Sequence, residues 1–184
     1  MEDFDKAKSQ SGAYEHLESE AGFFTRILEK VPGFKGYIQK ERRKDADEML
    51  RGYMSRRLDE IRLRLGQTQE TLGRDIIKAI DYAEPLGQVD TRLMGLSGKI
   101  KDAPSAYTGF FAKVKIDEEE LNNIYQFDES MLNYIDAIDS TLTKLDTAVN
   151  EDGDIDAAFK AFRTATTNAN NTFNERIDLL KGMG

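Results

Sequence analysis

The chain has no cysteine, no tryptophan, three prolines and one histidine in 184 residues. Without cysteine there is no disulfide scaffold, iron–sulfur site or thiol enzyme, and no cysteine-ligated zinc ribbon. A Ser-His-Asp triad would have to use His16, close to the start of the sequence. A di-iron bundle needs inward-facing Glu-x-x-His pairs, and no Glu stands three residues before His16. Long apolar runs are missing too, with none approaching the ~18–20 residues of a membrane span. The opening MEDFDKAKSQSGAYEHLESE has neither a basic start nor an apolar stretch. It does not read as a secretory signal, and the expected location is cytoplasmic.

What the chain does have is charge. It carries 26 Lys+Arg against 34 Asp+Glu, a net −8. An acidic balance argues against nucleic-acid binding, which needs a basic surface. It also disfavours anionic membrane surfaces. Abundant Leu, Ala, Ile, Lys, Arg and Glu with little proline favour helices. The length suits a single domain with a buried core.

Periodicity points the same way. Residues 1–12 read as a loose tail. Tyr14, Leu17, Ala21, Phe24, Leu28 and Val31 then recur at spacings of three and four, one stripe of an amphipathic helix that Pro32-Gly33 stops. The next stripe, Ala46, Leu50, Tyr53, Leu58, Ile61, Leu65, Leu72, Ile76 and Ile80, keeps phase across Gly52, Gly66 and Gly73. It predicts one very long helix over about 35–83, ending near Glu84-Pro85, with a break at Gly66 as the alternative. Val89, Leu93, Leu96 and Ile100 predict a shorter helix ended before Pro104. Residues 105–116 read as an ordered connection anchored by Tyr107, Phe110 and Phe111.

Asp117 and Glu120 form a capping box, with Ile116 and Leu121 as a hydrophobic staple. From there Leu121, Ile124, Asp128, Met131, Ile135, Ile138, Leu142, Leu145 and Val149 alternate in heptads, interrupted only by Asp128. A tight acidic turn at 150–154 leads to a last helix through Ile155, Phe159, Phe162, Thr166, Ala169, Phe173, Ile177 and Leu180. Two long helices joined by a short turn predict an antiparallel hairpin over 117–182. The fold class is therefore all-α: about five helices in an elongated, antiparallel, coiled-coil-like bundle forming one domain over 1–184.

Charge is unevenly spread. Residues 35–65 hold ten Lys+Arg and six Asp+Glu, whereas 116–184 hold five and fifteen. The basic stretch can lie along the acidic hairpin, within one chain or between two. Arg42, Arg43 and Lys44 lie in the run KERRKDADE, which fits a salt-bridged helix face or a contact between subunits. Asp128, on an apolar seam, can fix register or oligomeric state; alternatively Phe127 takes its place and the face rotates. The turn 150–156 resembles a calcium loop around Gly153, but Ala148 and Phe159 occupy the first and last ligand positions. Asp154 as a helix N-cap accounts for it better, with weak divalent-cation binding left open.

Three stretches carry a family resemblance: GFKGYIQKERRKDADEMLR at 33–51, DAPSAYTGFFAKVKIDEEELNNIYQFDESML at 102–132, and FNERIDLL at 173–180. They resemble a family of uncharacterised bacterial all-helical proteins with GY-KExRRxAD and YxGFF-xVKIDEEEL-YxFD segments. Phe34 stands where an aromatic residue, usually Tyr, is expected. The resemblance implies an all-helical fold and no catalytic residues.

The expected function is a non-enzymatic helical scaffold or adaptor that works through protein–protein contacts or self-association. No cofactor, metal or small-molecule substrate is expected. The alternative is a membrane-associated remodelling or stress-response coat, by analogy of architecture with phage-shock and ESCRT-III-type proteins.

Overall fold

The computed structural model describes residue 22 and residues 25–34, 43–103 and 118–182. All of these are helical or in turns, and no strand occurs among them. A short helical segment, 25–30, precedes four long helices: α1 (Arg43–Leu72), α2 (Ile76–Asp102), α3 (Glu118–Asn150) and α4 (Ile155–Gly182). The chain is all-α.

The first segment buries Ile27, Val31 and Phe34. Val31 is buried as expected, whereas Leu28, expected on the same stripe, is 39% exposed and Ile27 takes its place. The segment ends where Pro32-Gly33 requires, with Gly33 at φ 80, a conformation costly for any residue with a Cβ. Tyr14, Leu17, Ala21 and Phe24 lie outside the described residues.

The single helix expected over 35–83 is two helices. α1 buries Leu50, Leu58, Ile61, Leu65 and Leu72, then stops. Gly73 N–H still donates to Gln69 O, but Arg74 and Asp75 turn back onto Thr71 and Leu72 at three-residue spacing. Asp75 sits in extended backbone and accepts from the N–H groups of Ile77 and Lys78, so it N-caps α2. The apolar phase misled because Ile76 and Ile80 continue it but lie at 78% and 75% exposure. Gly66 remains inside α1, so the alternative break does not occur either.

Pro85, expected to end a helix, lies inside α2. An interior proline forfeits one backbone hydrogen bond and costs about 3 kcal/mol. Burial of Leu86, Val89, Leu93, Leu96 and Ile100 in the same helix offsets that cost. The separate helix expected around Val89–Ile100 is therefore the second half of α2.

α3 begins at Glu118, one residue after the expected cap, and its seam from Met131 to Val149 is buried. Asp117, Ile116 and the connection bearing Tyr107, Phe110 and Phe111 lie outside the described residues. At the acidic turn Asp152 takes φ 51, and Asp154 accepts from Ala157 N–H at 2.9 Å, capping α4. α4 then buries Phe159, Phe162, Thr166, Ala169 and Phe173.

Cross-helix pairs set the directions. Arg51 reaches Lys101, Ser55 meets Ser97 and Arg62 meets Asp90, so α1 and α2 run antiparallel. Arg57 meets Asp139 and Arg64 meets Asp146, so α1 and α3 run parallel. Tyr82 with Asp156 and Lys99 with Asn174 make α2 and α4 parallel as well. Two hairpins, α1–α2 and α3–α4, thus lie side by side around one continuous core that also takes in Ile27, Val31 and Phe34. α2 and α3 lie on one diagonal of this arrangement, and α1 and α4 on the other.

Candidate interaction surface

Between the hairpins runs a charged seam. Arg57 pairs with Asp136 and Asp139, at 3.5 and 3.1 Å. Arg64 pairs with Asp139 and with Asp146, and also reaches Thr143. Lys30 joins at Asp136, and Arg26 at Glu129. The basic stretch therefore lies along the acidic hairpin within one chain. Each half-exposed pair contributes only ~0.2–1 kcal/mol, but the ladder fixes which hairpin face meets which. The Arg26 guanidinium is held above its ordinary value by its hydrogen bond to Glu129.

Inside the first hairpin the polar contacts are more deeply placed. Ser55 and Ser97 hydroxyls lie 2.9 Å apart, and Ser97 also reaches Asp59. Asp47, 1% exposed, pairs with Arg51 at 3.0 Å, and Arg51 donates to the carbonyls of Lys101 and Ala103 at the end of α2.

The acidic turn spends its carboxylates on neighbours. Lys78 pairs with Asp152, raising the ammonium and lowering the carboxyl. Asp154 caps α4, and Asp156 accepts from the Tyr82 hydroxyl at 2.5 Å. Tyr82 also packs edge-to-face on Phe159, with ring centroids 6.2 Å apart. Burial, with that hydrogen bond, pushes the Tyr82 phenol up to about 12. No group of three or more His, Asp or Glu side chains poised to hold a metal occurs among the described residues.

Of the residues singled out from sequence, Arg42, Tyr107, Phe110 and Phe111 lie outside the described residues. Arg43 and Lys44 start α1, with side chains outside the description. Asp128 occupies the seam, 2% exposed, among Tyr125, Met131 and Leu132, while Phe127 is only partly buried beside the core.

The surface that sequence reasoning missed is on the first hairpin. Among the described residues the exposed large apolar side chains are Leu28, Met49, Leu63, Ile76, Ile77, Ile80 and Met94. None comes from α3 or α4. Ile76 and Met94 are 18 residues apart, which is five full turns and hence one helix face. Ile80, Ala83 and Gly87 fill the same stripe at spacings of four, three and four. Leu63 follows Arg62, whose partner is Asp90, so it stands at the level of this stripe on the adjoining helix. Beside the stripe, at the hairpin turn, is an open cavity of about 290 Å³ between Gln69, Leu72, Gly73, Ala79, Ala83 and Leu86, with Tyr82 at its inner edge. Gly73 in the turn and Ala79 and Ala83 on α2 leave that gap. The available signal was the doubled periodicity of α2, which carries one stripe through Leu86 and Leu93 and another through Ile76, Ile80 and Met94.

No described helix is long and apolar enough to cross a membrane. Comparison with protein-family models, curated proteins and solved structures finds no match to this chain.

Proposed function

We propose that this chain is a non-enzymatic helical scaffold or adaptor that acts in the cytoplasm through protein–protein contacts. The observation that carries this reading is the outer face of the α1–α2 hairpin, where Leu63, Ile76, Ile77, Ile80 and Met94 are each more than half exposed. Large apolar side chains exposed along one helix face, with small residues between them, are the kind of surface that marks an interaction site. Helices of 27 to 33 residues, about 40–50 Å long, are of a length that suits an elongated, coiled-coil-like scaffold. The cavity at the hairpin turn offers Gln69 and Tyr82 as polar liners, and the Tyr82 hydroxyl is engaged by Asp156. That is poor equipment for chemistry on a small molecule. The resemblance to uncharacterised all-helical bacterial proteins implies no activity either.

The test is a paired capture experiment with the tagged full chain and an Ile77→Asp/Ile80→Asp variant. A stoichiometric protein held by the native chain and released by the variant is the expected result. Identical capture by both would sink this reading.

A membrane-associated coat is the second reading. In its favour, Ile76 and Ile77 stand at the hairpin end beside Arg74 and Lys78. The net charge of −8 opposes it. Co-sedimentation with anionic vesicles at low salt, lost in the same variant, would favour it over the scaffold.

A further inference from the structure

We infer that the partner seated on the outer face of the α1–α2 hairpin is a second copy of this chain, docked about a two-fold axis with the two α2 helices antiparallel. The inference rests on the scaffold reading and names its partner.

Three observations favour a second copy over a different protein. The first is the charge distribution. Residues 43–102 carry twelve Lys+Arg and eleven Asp+Glu, whereas 118–182 carry five and fourteen. The net negative charge thus resides on the second hairpin, on the far side of the bundle. Two copies meeting through their near-neutral first hairpins keep the acidic hairpins apart, so docking works against little long-range repulsion. A basic partner would be drawn to the other side of the molecule.

The second is self-complementarity of shape. An isologous contact sets the same patch on itself, residue i against j and j against i. With the axis at Gly87, Ile80 of one copy faces Met94 of the other, and Ile76 faces Gly98. A Cβ added at Gly87, Gly95 or Gly98 would meet nothing within 4 Å. The surface over these glycines is therefore open, and two helix backbones can approach closely there. Met94, 52% exposed, is placed as a knob for the partner's cavity beside Ala83.

The third is size. A face about 30 Å long and two helices wide, with axes ~9 Å apart, offers about 600 Å² per copy. Two such faces bury about 1,200 Å², the lower bound for a specific interface.

The test uses the full chain and its lack of native cysteine. Sedimentation equilibrium at about 100 μM should give twice the 20.9 kDa chain mass, with little dependence on salt. Ile80→Glu/Met94→Glu should return the mass to a single chain with unchanged helical circular dichroism. Under mild oxidation Gly87→Cys should cross-link two copies at least ten times faster than Ala161→Cys on α4. A native chain that stays monomeric at this concentration overturns the inference, as does a dimer that survives the double substitution or cross-links equally at both sites. Should the double variant unfold, the cross-linking comparison decides alone. If the native chain is monomeric yet loses a captured protein on Ile77→Asp/Ile80→Asp substitution, the second-copy inference fails while the scaffold reading stands.

Discussion

Asp47 and Arg51, one turn apart on α1, form an ion pair that ties the start of that helix to the end of α2. The Asp47 side chain is 2% exposed, and the guanidinium lies 3.0 Å from its carboxylate while donating to Lys101 O and Ala103 O. One arginine thus balances a buried charge and satisfies carbonyls that the end of α2 leaves without helical partners. Arg51→Leu strips Asp47 of this partner and exposes the C-terminus of α2. A loss of about 3 kcal/mol is expected in urea unfolding, in the range for breaking a buried pair. Arg51→Lys should recover only part of it, since an ammonium lacks the planar fork that spans carboxylate and carbonyls. A loss below ~1 kcal/mol would show the pair to be incidental.

Asp75 decides that α1 and α2 are two helices. Its side chain accepts from Ile77 N–H at 2.9 Å and Lys78 N–H at 3.2 Å. Asp75→Ala should cost about 1 kcal/mol and raise amide exchange over the first turn of α2 while leaving Leu86–Ile100 protected. Asp75→Asn should be close to native. Equal protection of the first turn in the Ala variant would show that packing alone holds it.

Tyr82 should deprotonate above the ordinary phenol range. Burial raises its phenol from 10.0 to about 12, and the hydrogen bond to Asp156 acts in the same direction. A value raised by folding means that the neutral form is favoured in the native state. Its stabilisation is full below pH 10.0 and is lost as the pH climbs towards about 12. Ultraviolet titration should show a late tyrosinate phase that disappears in Tyr82→Phe. A single phase in the native chain would contradict this.

Asp128 lies in the core that the chain builds by itself, 2% exposed between Tyr125 and Met131. Asp128→Leu should therefore move the melting temperature without altering the mass in solution. A changed mass would mean that this residue sets register between copies.

Much of the architecture is legible in the residues. The stop at Pro32-Gly33 and the cap at Asp154 rely on interactions within one turn, which local sequence specifies, and the heptads from Met131 to Val149 mark a buried seam by their spacing. The break at Gly73 was obscured because Ile76 and Ile80 keep the phase of α1. Periodicity reports which residues share a face and is silent on whether anything covers that face. The outward stripe of α2 is hidden in the sequence for the same reason, since an exposed apolar stripe and a buried one read alike.

The sequence by itself determined that this protein is helical, where its second hairpin turns, and that opposite charges on α1 and α3 were available to pair. Only the tertiary structure decided that α2 runs through Pro85, that the hairpins align in parallel, and that Ile76, Ile80 and Met94 face outward. These outcomes depend on contacts between residues far apart in the chain. Burial of Leu86 to Ile100 outweighs a lost backbone hydrogen bond, and the Arg57 and Arg64 ladders favour one alignment of the hairpins over others.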